Sequence, residues 1–276
     1  MKYVLPTFYI IINLLLAVTA LAADPETSGF ASSDSSQKSH DYTLSRTIDA
    51  VLHKKQQGNT VVLADVRDRA EFDRLHILEA IHIPLYALKT KSYLKNDLLV
   101  LTNNGFNYGI LEKEAGRLRE QGFDVAILRG GINAWLEKGL PVSGDAIAGE
   151  DVWLADPADV YQEAAYNSFL PVNASARPDQ NFFPGEVLLN PADQAADRIK
   201  SYNQSNPAGS VLVFNESGEG YPAIRKQLLS AGATRLFFLK GGLNVYKMYL
   251  DNLALSHAPR EQRVKSYNKC KSCGDR

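Results

Sequence analysis

The sequence predicts an α/β protein made of two doubly wound parallel-sheet domains in tandem. Three observations predict it. Short, wholly apolar strands alternate with amphipathic helices, the pattern of a parallel sheet covered on both faces. The order of strands and helices then recurs along the chain. Each copy also carries a glycine-bearing strand-to-helix loop followed, at nearly constant offset, by a Gly-Gly pair.

In chain order, Met1-Lys2 precedes an apolar stretch over 4–20, interrupted by Pro6, Thr7, Asn13 and Thr19 and followed by the small residues Ala22-Ala23. This reads as a secretory signal peptide, 1–22, with cleavage after Ala22. The stretch is short for a membrane span, so no membrane attachment is expected once it is removed. Residues 23–41 are rich in Ser, Asp, Gly and Lys, lack hydrophobic periodicity and read as a flexible leader.

The first domain is expected over 42–145. Ile48, Val51 and Leu52 fall at helical spacing, predicting a helix over 45–54. Apolar strands follow at 61–64, 98–101 and 125–128, with an amphipathic helix over 109–121 ended by Gly122. The boundary falls in the Gly- and Pro-containing stretch 141–150. The second domain, 146–257, repeats the order with a strand at 211–214, a helix at 221–230 ended by Gly232, and a strand at 236–239. Leu128-Arg129-Gly130-Gly131-Ile132-Asn133-Ala134-Trp135 in the first copy answers to Leu239-Lys240-Gly241-Gly242-Leu243-Asn244-Val245-Tyr246 in the second. With Gly105 and Gly218 in matching loops, this is an internal duplication.

With 30 Lys+Arg against 31 Asp+Glu, the chain has no charge excess that would recruit nucleic acid. Its two cysteines, Cys270 and Cys273, both lie in the charged tail 258–276, so no disulfide can staple either domain core. The pair forms a C-x-x-C motif flanked by Lys269 and Lys271, charges that would stabilise a thiolate. Redox or persulfide chemistry, half of a metal site completed by another chain, and a plain tail disulfide all remain open for it. Haem attachment is excluded because Gly274 follows where histidine is required.

Several separated pieces of the first domain carry a family resemblance. They are Asp65-Val66-Arg67, Glu71-Phe72, the run His76-Ile77-Leu78-Glu79-Ala80-Ile81-His82-Ile83-Pro84, the loop 102–107, and Gly130-Gly131 with Trp135. Over 42–143 the chain resembles the rhodanese-like (sulfurtransferase) domain family, with Glu79 where that family usually has glycine. The resemblance implies two rhodanese-like domains in tandem, the second degenerate. It also implies a loop between central strand and helix in which active members hold a cysteine cradled by backbone amides. Such a cradle with a helix N-terminus stabilises a thiolate or a bound oxyanion.

Registering on Gly105 puts Thr102 at the cysteine position, followed by Asn103, Asn104, Phe106 and Asn107; Asn107 replaces a commonly basic residue. In the second copy the same reasoning puts Asn215 there, ahead of Gly218, with Asn173 and Ser175 standing for the D-x-R pair. A threonine hydroxyl needs an adjacent base and cannot hold a transferable sulfur as a thiolate does. His76 and His82, expected in a helical connection, read as local hydrogen-bonding residues, Asp65 and Arg67 as a framework pair, and Phe72 and Trp135 as core.

The resulting expectation is an exported module, periplasmic in a Gram-negative bacterium and otherwise secreted. It would act as a sulfur-relay or binding module for a protein or a small sulfur-containing or anionic ligand, with no cofactor and no metal site of its own. The competing expectation is a sulfurtransferase or thiol-redox enzyme using Cys270 and Cys273. Asn173, Asn203 and Asn215 also open N-x-S glycosylation sequons.

Overall fold

The computed structural model describes residues 39–145, 149, 151–176, 181–189 and 192–257. The stretch expected to be a signal peptide, most of the expected leader and the tail with Cys270 and Cys273 lie outside the described residues. Both sheets fall within a single compact unit. No described helix is long and apolar enough to cross a membrane.

The first lobe runs β1 (Ser45–Arg46), α1 (Ile48–Gln56), β2 (Val61–Asp65), α2 (Arg69–Arg74), β3 (Leu75–Ile77), β4 (Ile81–His82), α3 (Leu85–Leu88), β5 (Leu98–Thr102), α4 (Tyr108–Glu120), β6 (Asp124–Leu128), α5 (Gly131–Glu137) and β7 (Val142–Gly144). Its five-stranded sheet has the order β1-β6-β5-β2-β4, and every pairing is parallel. Alternate residues of β5 face opposite sides: Leu99 and Leu101 pack with α4, while Val100 packs with α1 and α5. That is why its sequence is apolar without a gap.

Two local expectations are corrected. Ser45 and Arg46 are not helical; they pair with Ile127 and Leu128 at the sheet edge, and α1 starts only after Thr47, whose hydroxyl accepts the Ala50 amide. His76 and His82 sit on the short strands β3 and β4 rather than in a helical connection. The expected boundary stretch also begins with structure, because β7 turns back to pair antiparallel with β3.

The second lobe runs β8 (Leu154–Ala155), α6 (Pro157–Ala164), β9 (Phe169–Asn173), β10 (Val187–Leu188), α7 (Ala192–Ser205), β11 (Ser210–Phe214), α8 (Tyr221–Ser230), β12 (Leu236–Leu239) and α9 (Gly242–His257). Its sheet order is β10-β9-β11-β12-β8, again all parallel. Reading β8, β9, β10, β11 and β12 as the counterparts of β1, β2, β4, β5 and β6 makes the two orders identical. One face of this sheet is covered by α7 and α8, the other by α6 and α9.

Candidate functional site

The loop 102–107 begins where β5 ends. Thr102 is 0% exposed and pairs across the sheet with Asp65. Asp65 is held by Arg67, whose Nη2 donates to Asp65 Oδ2 at 2.6 Å and to the Leu75 carbonyl at 2.7 Å. This buried, charge-assisted pair fixes the end of β2. His76 donates through Nδ1 to the Phe72 carbonyl at 2.7 Å and His82 through Nε2 to the Arg67 carbonyl at 2.8 Å, so both serve local structure. Phe72 and Trp135 are core residues.

The loop's own side chains occupy its amides. Asn103 Oδ1 accepts the Gly105 amide at 2.8 Å and Asn104 Oδ1 the Phe106 amide at 3.0 Å, each an Asx turn. Asn103 Nδ2 donates back to the Asn107 carbonyl at 2.7 Å. Asn107 caps α4 by accepting the Ile110 amide, and its Nδ2 donates to Asp159 Oδ1 at 2.7 Å and to Gln162 on α6. The next free amide of the helix, Gly109, donates to Glu163 Oε1 at 2.7 Å. A carboxylate of the second lobe therefore stands where the helix N-terminus would otherwise attract an anion.

Phe106 leaves its own lobe altogether. It is buried in the second lobe's core, with ring centroids 5.6 Å from Phe169 and 5.3 Å from Phe237. Beside Gly105 and Phe106 remains a cavity of about 10 Å³, room for about one water molecule. Behind the loop, Ile132 and Asn133 donate their amides to the Asn103 and Asn104 carbonyls. Gly105 and Gly131 both have positive φ, and a Cβ on either would collide with the backbone of the other's loop.

Glu163 is itself anchored. Its Oε2 accepts from Ser168 Oγ at 2.6 Å and from His40 Nε2 at 2.8 Å, and His40 Nδ1 meets Glu112 Oε2 on α4 at 2.7 Å. The His40 and Glu163 side chains are each 1% exposed. The imidazole stacks on Tyr166, with centroids 4.0 Å apart. Burial works against the charged imidazole, but the hydrogen bonds and charges of Glu163 and Glu112 outweigh it, so the His40 pKa is raised. Asp159 is shifted upward by burial, opposed by its bond from Asn107. Sequence reading missed this cluster, because His40 lay in the expected leader and its partners are brought together only by the fold.

The second loop repeats these bonds one residue away from the expected register. Phe214 pairs with Asn173 as Thr102 pairs with Asp65, and the Ala174 amide donates to the Phe214 carbonyl as Val66 does to Thr102. Asn215 then takes the part of Asn103: Oδ1 accepts the Gly218 amide at 2.6 Å, Nδ2 donates to the Glu219 carbonyl at 2.8 Å, and its carbonyl accepts the Leu243 amide. The strand-end position is Phe214, a core residue, and the second loop is one residue longer before its glycine. Among the described residues no cluster of His, Cys, Asp or Glu could hold a metal ion.

A family model described as "Rhodanese-like domain" matches residues 48–138. No curated protein matches the chain. Among solved structures, a thiosulfate sulfurtransferase from Pseudomonas aeruginosa is similar at 20% identity and a TM-score of 0.33, over 72% of this chain and 41% of its own. A protein from Bacillus halodurans is similar at 26% identity and a TM-score of 0.33, over 37% of this chain and 77% of its own. A rhodanese-related protein from Thermoplasma volcanium is similar at 21% identity and a TM-score of 0.31, over 37% of this chain and 98% of its own.

Proposed function

We propose, from the premise that residues 48–138 are a rhodanese-like domain, that this protein is a binding module built on that scaffold and does not transfer sulfur from its loop. The observation that carries the reading is the state of the loop. Thr102 is buried at the strand end, and the amides of Gly105, Phe106, Gly109 and Ile110 already bond to Asn103, Asn104, Glu163 and Asn107. An incoming sulfur oxyanion would have to displace a buried carboxylate, and it would meet no thiolate there. We read the second lobe as a degenerate copy of the first, on the strength of its identical strand order and repeated loop bonds. The chain is exported in this reading, to the periplasm of a Gram-negative bacterium or otherwise to the outside.

A second reading is favoured by one fact of the sequence: Cys270 and Cys273 are its only thiols. In that reading the tail carries the sulfur or redox chemistry, and the lobes present a partner to it.

One assay separates the two: thiosulfate-to-cyanide sulfur transfer by the protein, by Thr102→Cys and by Cys270→Ser/Cys273→Ser. The binding-module reading expects all three to be inert, with the Thr102→Cys thiol also shielded from alkylation in the folded state. Turnover by the unmodified protein on the order of 1 per second, abolished in the double serine variant, would establish the second reading instead.

A further inference from the structure

A groove of about 410 Å³ opens between the lobes beside the sealed loop. It lies within the range of about 300–1,000 Å³ typical of small-molecule sites. Tyr42 and Arg129 come from the first lobe; Tyr166, Tyr202 and the turn Asn206–Gly209 come from the second. No carboxylate is among its lining residues.

Arg129 is the distinctive group. Its Nε donates to Ser45 Oγ at 3.0 Å, which fixes the guanidinium, while its terminal nitrogens have no acceptor among the described residues. It also lacks an ion-pair partner there, whereas Lys240 at the corresponding place in the second copy pairs with Asp156 at 3.0 Å. A second guanidinium stands behind the far wall. Arg235 donates to the carbonyls of Gly209 at 2.7 Å, Asn203 at 3.0 Å and Asn206 at 3.1 Å, holding the turn that forms that wall. Burial chiefly lowers the Arg235 pKa, and repulsion from Arg129 adds to the effect. The other nearby cation, His40, is already matched by Glu112 and Glu163.

The walls are aromatic. The hydroxyls of Tyr42 and Tyr166 have no hydrogen-bond partner among the described residues, while Tyr202 donates to the Ser168 carbonyl at 3.2 Å. Burial, aided by the Glu163 charge, pushes Tyr42 up to about 12, so its hydroxyl stays a neutral donor. A planar guanidinium with its fork free, set among tyrosine rings, suits an oxyanion attached to a flat apolar body.

We propose that the groove binds a small aromatic carboxylate, its oxyanion on Arg129 and its ring against Tyr42, Tyr166 and Tyr202. This inference rests on the binding-module reading and names a ligand class for it. It leaves the sealed loop uninvolved.

The test is a calorimetric titration of the full chain with benzoate, and in parallel with inorganic phosphate and benzylamine, repeated on Arg129→Met, Arg129→Lys and Tyr166→Leu. Benzoate is expected to saturate the protein with Kd on the order of 1 mM or tighter, and Arg129→Met to weaken it by about tenfold or more. Arg129→Lys should lose less, because the charge remains without the fork. If Arg129→Met does not fold, Arg129→Lys and Tyr166→Leu decide, and wild-type affinity in both overturns the proposal. It is also overturned if benzoate fails to saturate, if benzylamine binds as well, or if phosphate binds as tightly as benzoate, which would make the groove an inorganic anion site. Failure here with no sulfur transfer leaves the binding-module reading standing. Turnover of thiosulfate overturns that reading whatever benzoate does.

Discussion

Asp65 and Arg67 are a pair whose removal should be felt throughout the first lobe. Both are buried, and Arg67 satisfies the carboxylate and the Leu75 carbonyl at once. Arg67→Met would leave a buried charge unmatched, and urea denaturation should show a loss of about 3–5 kcal/mol. The glycines offer a graded test of the same kind. At Gly139, φ is +65° but the surrounding space is open, so Gly139→Ala should cost only the left-handed penalty, about 1–2 kcal/mol. At Gly131, φ is +55° and a Cβ would also strike the Asn103 carbonyl, so Gly131→Ala should cost clearly more in the same measurement. Equal losses at the two sites would show that Gly131 has room beside the Asn103 carbonyl for a methyl group. The sequons read at the same scale: Asn173 is 3% exposed and Asn215 is bonded within its loop, so in the folded chain both are structural residues.

Among the elements, α4 and α6 are joined by His40, whose ring spans Glu112 on the first and Glu163 on the second. The folded pKa of His40 is raised above its unfolded value of about 6.5. Its contribution to stability is therefore fully present below about pH 6.5 and is lost as pH rises through the folded pKa. The unmodified protein should lose stability toward alkaline pH in urea titrations, and His40→Gln should lose less over the same range; parallel curves would show that His40 does not titrate across folding. The strands β2, β5, β6, β11 and β12 were legible because an apolar run buried on two faces leaves a mark in the sequence. The strand Ser45–Arg46 left none, since two residues at an edge have no period. The second loop was read one residue out because its register was counted back from Gly218, and this loop has one residue more before its glycine than the first, so that Phe214 and not Asn215 stands at the strand end. The Glu163 carboxylate at the start of α4 had no local pattern at all, because Glu163 and Gly109 meet only when the lobes do.

At the scale of the whole molecule, the sealed loop makes the two sheets one folding unit. Phe106 is a residue of the first lobe by sequence and of the second by packing, at 3% exposure among Phe169, Phe237 and Leu212. Asn104 reaches the Leu154 carbonyl, Asn107 reaches Asp159, and Asn133 reaches the Leu236 carbonyl, so loop and helix polar groups also find partners across the divide. Cutting between the lobes would expose an aromatic side chain and strand these groups, each costly once its partner is gone. Phe106→Ala is therefore expected to lower global stability by about 3–5 kcal/mol, as a core truncation does. Calorimetry should show a single transition for the unmodified chain, and the variant should either shift it whole or split it in two, with the second lobe melting first because its core holds the cavity. A variant that melts as the unmodified protein does would mean that Phe106 merely rests on the second lobe, and that the loop is free to open.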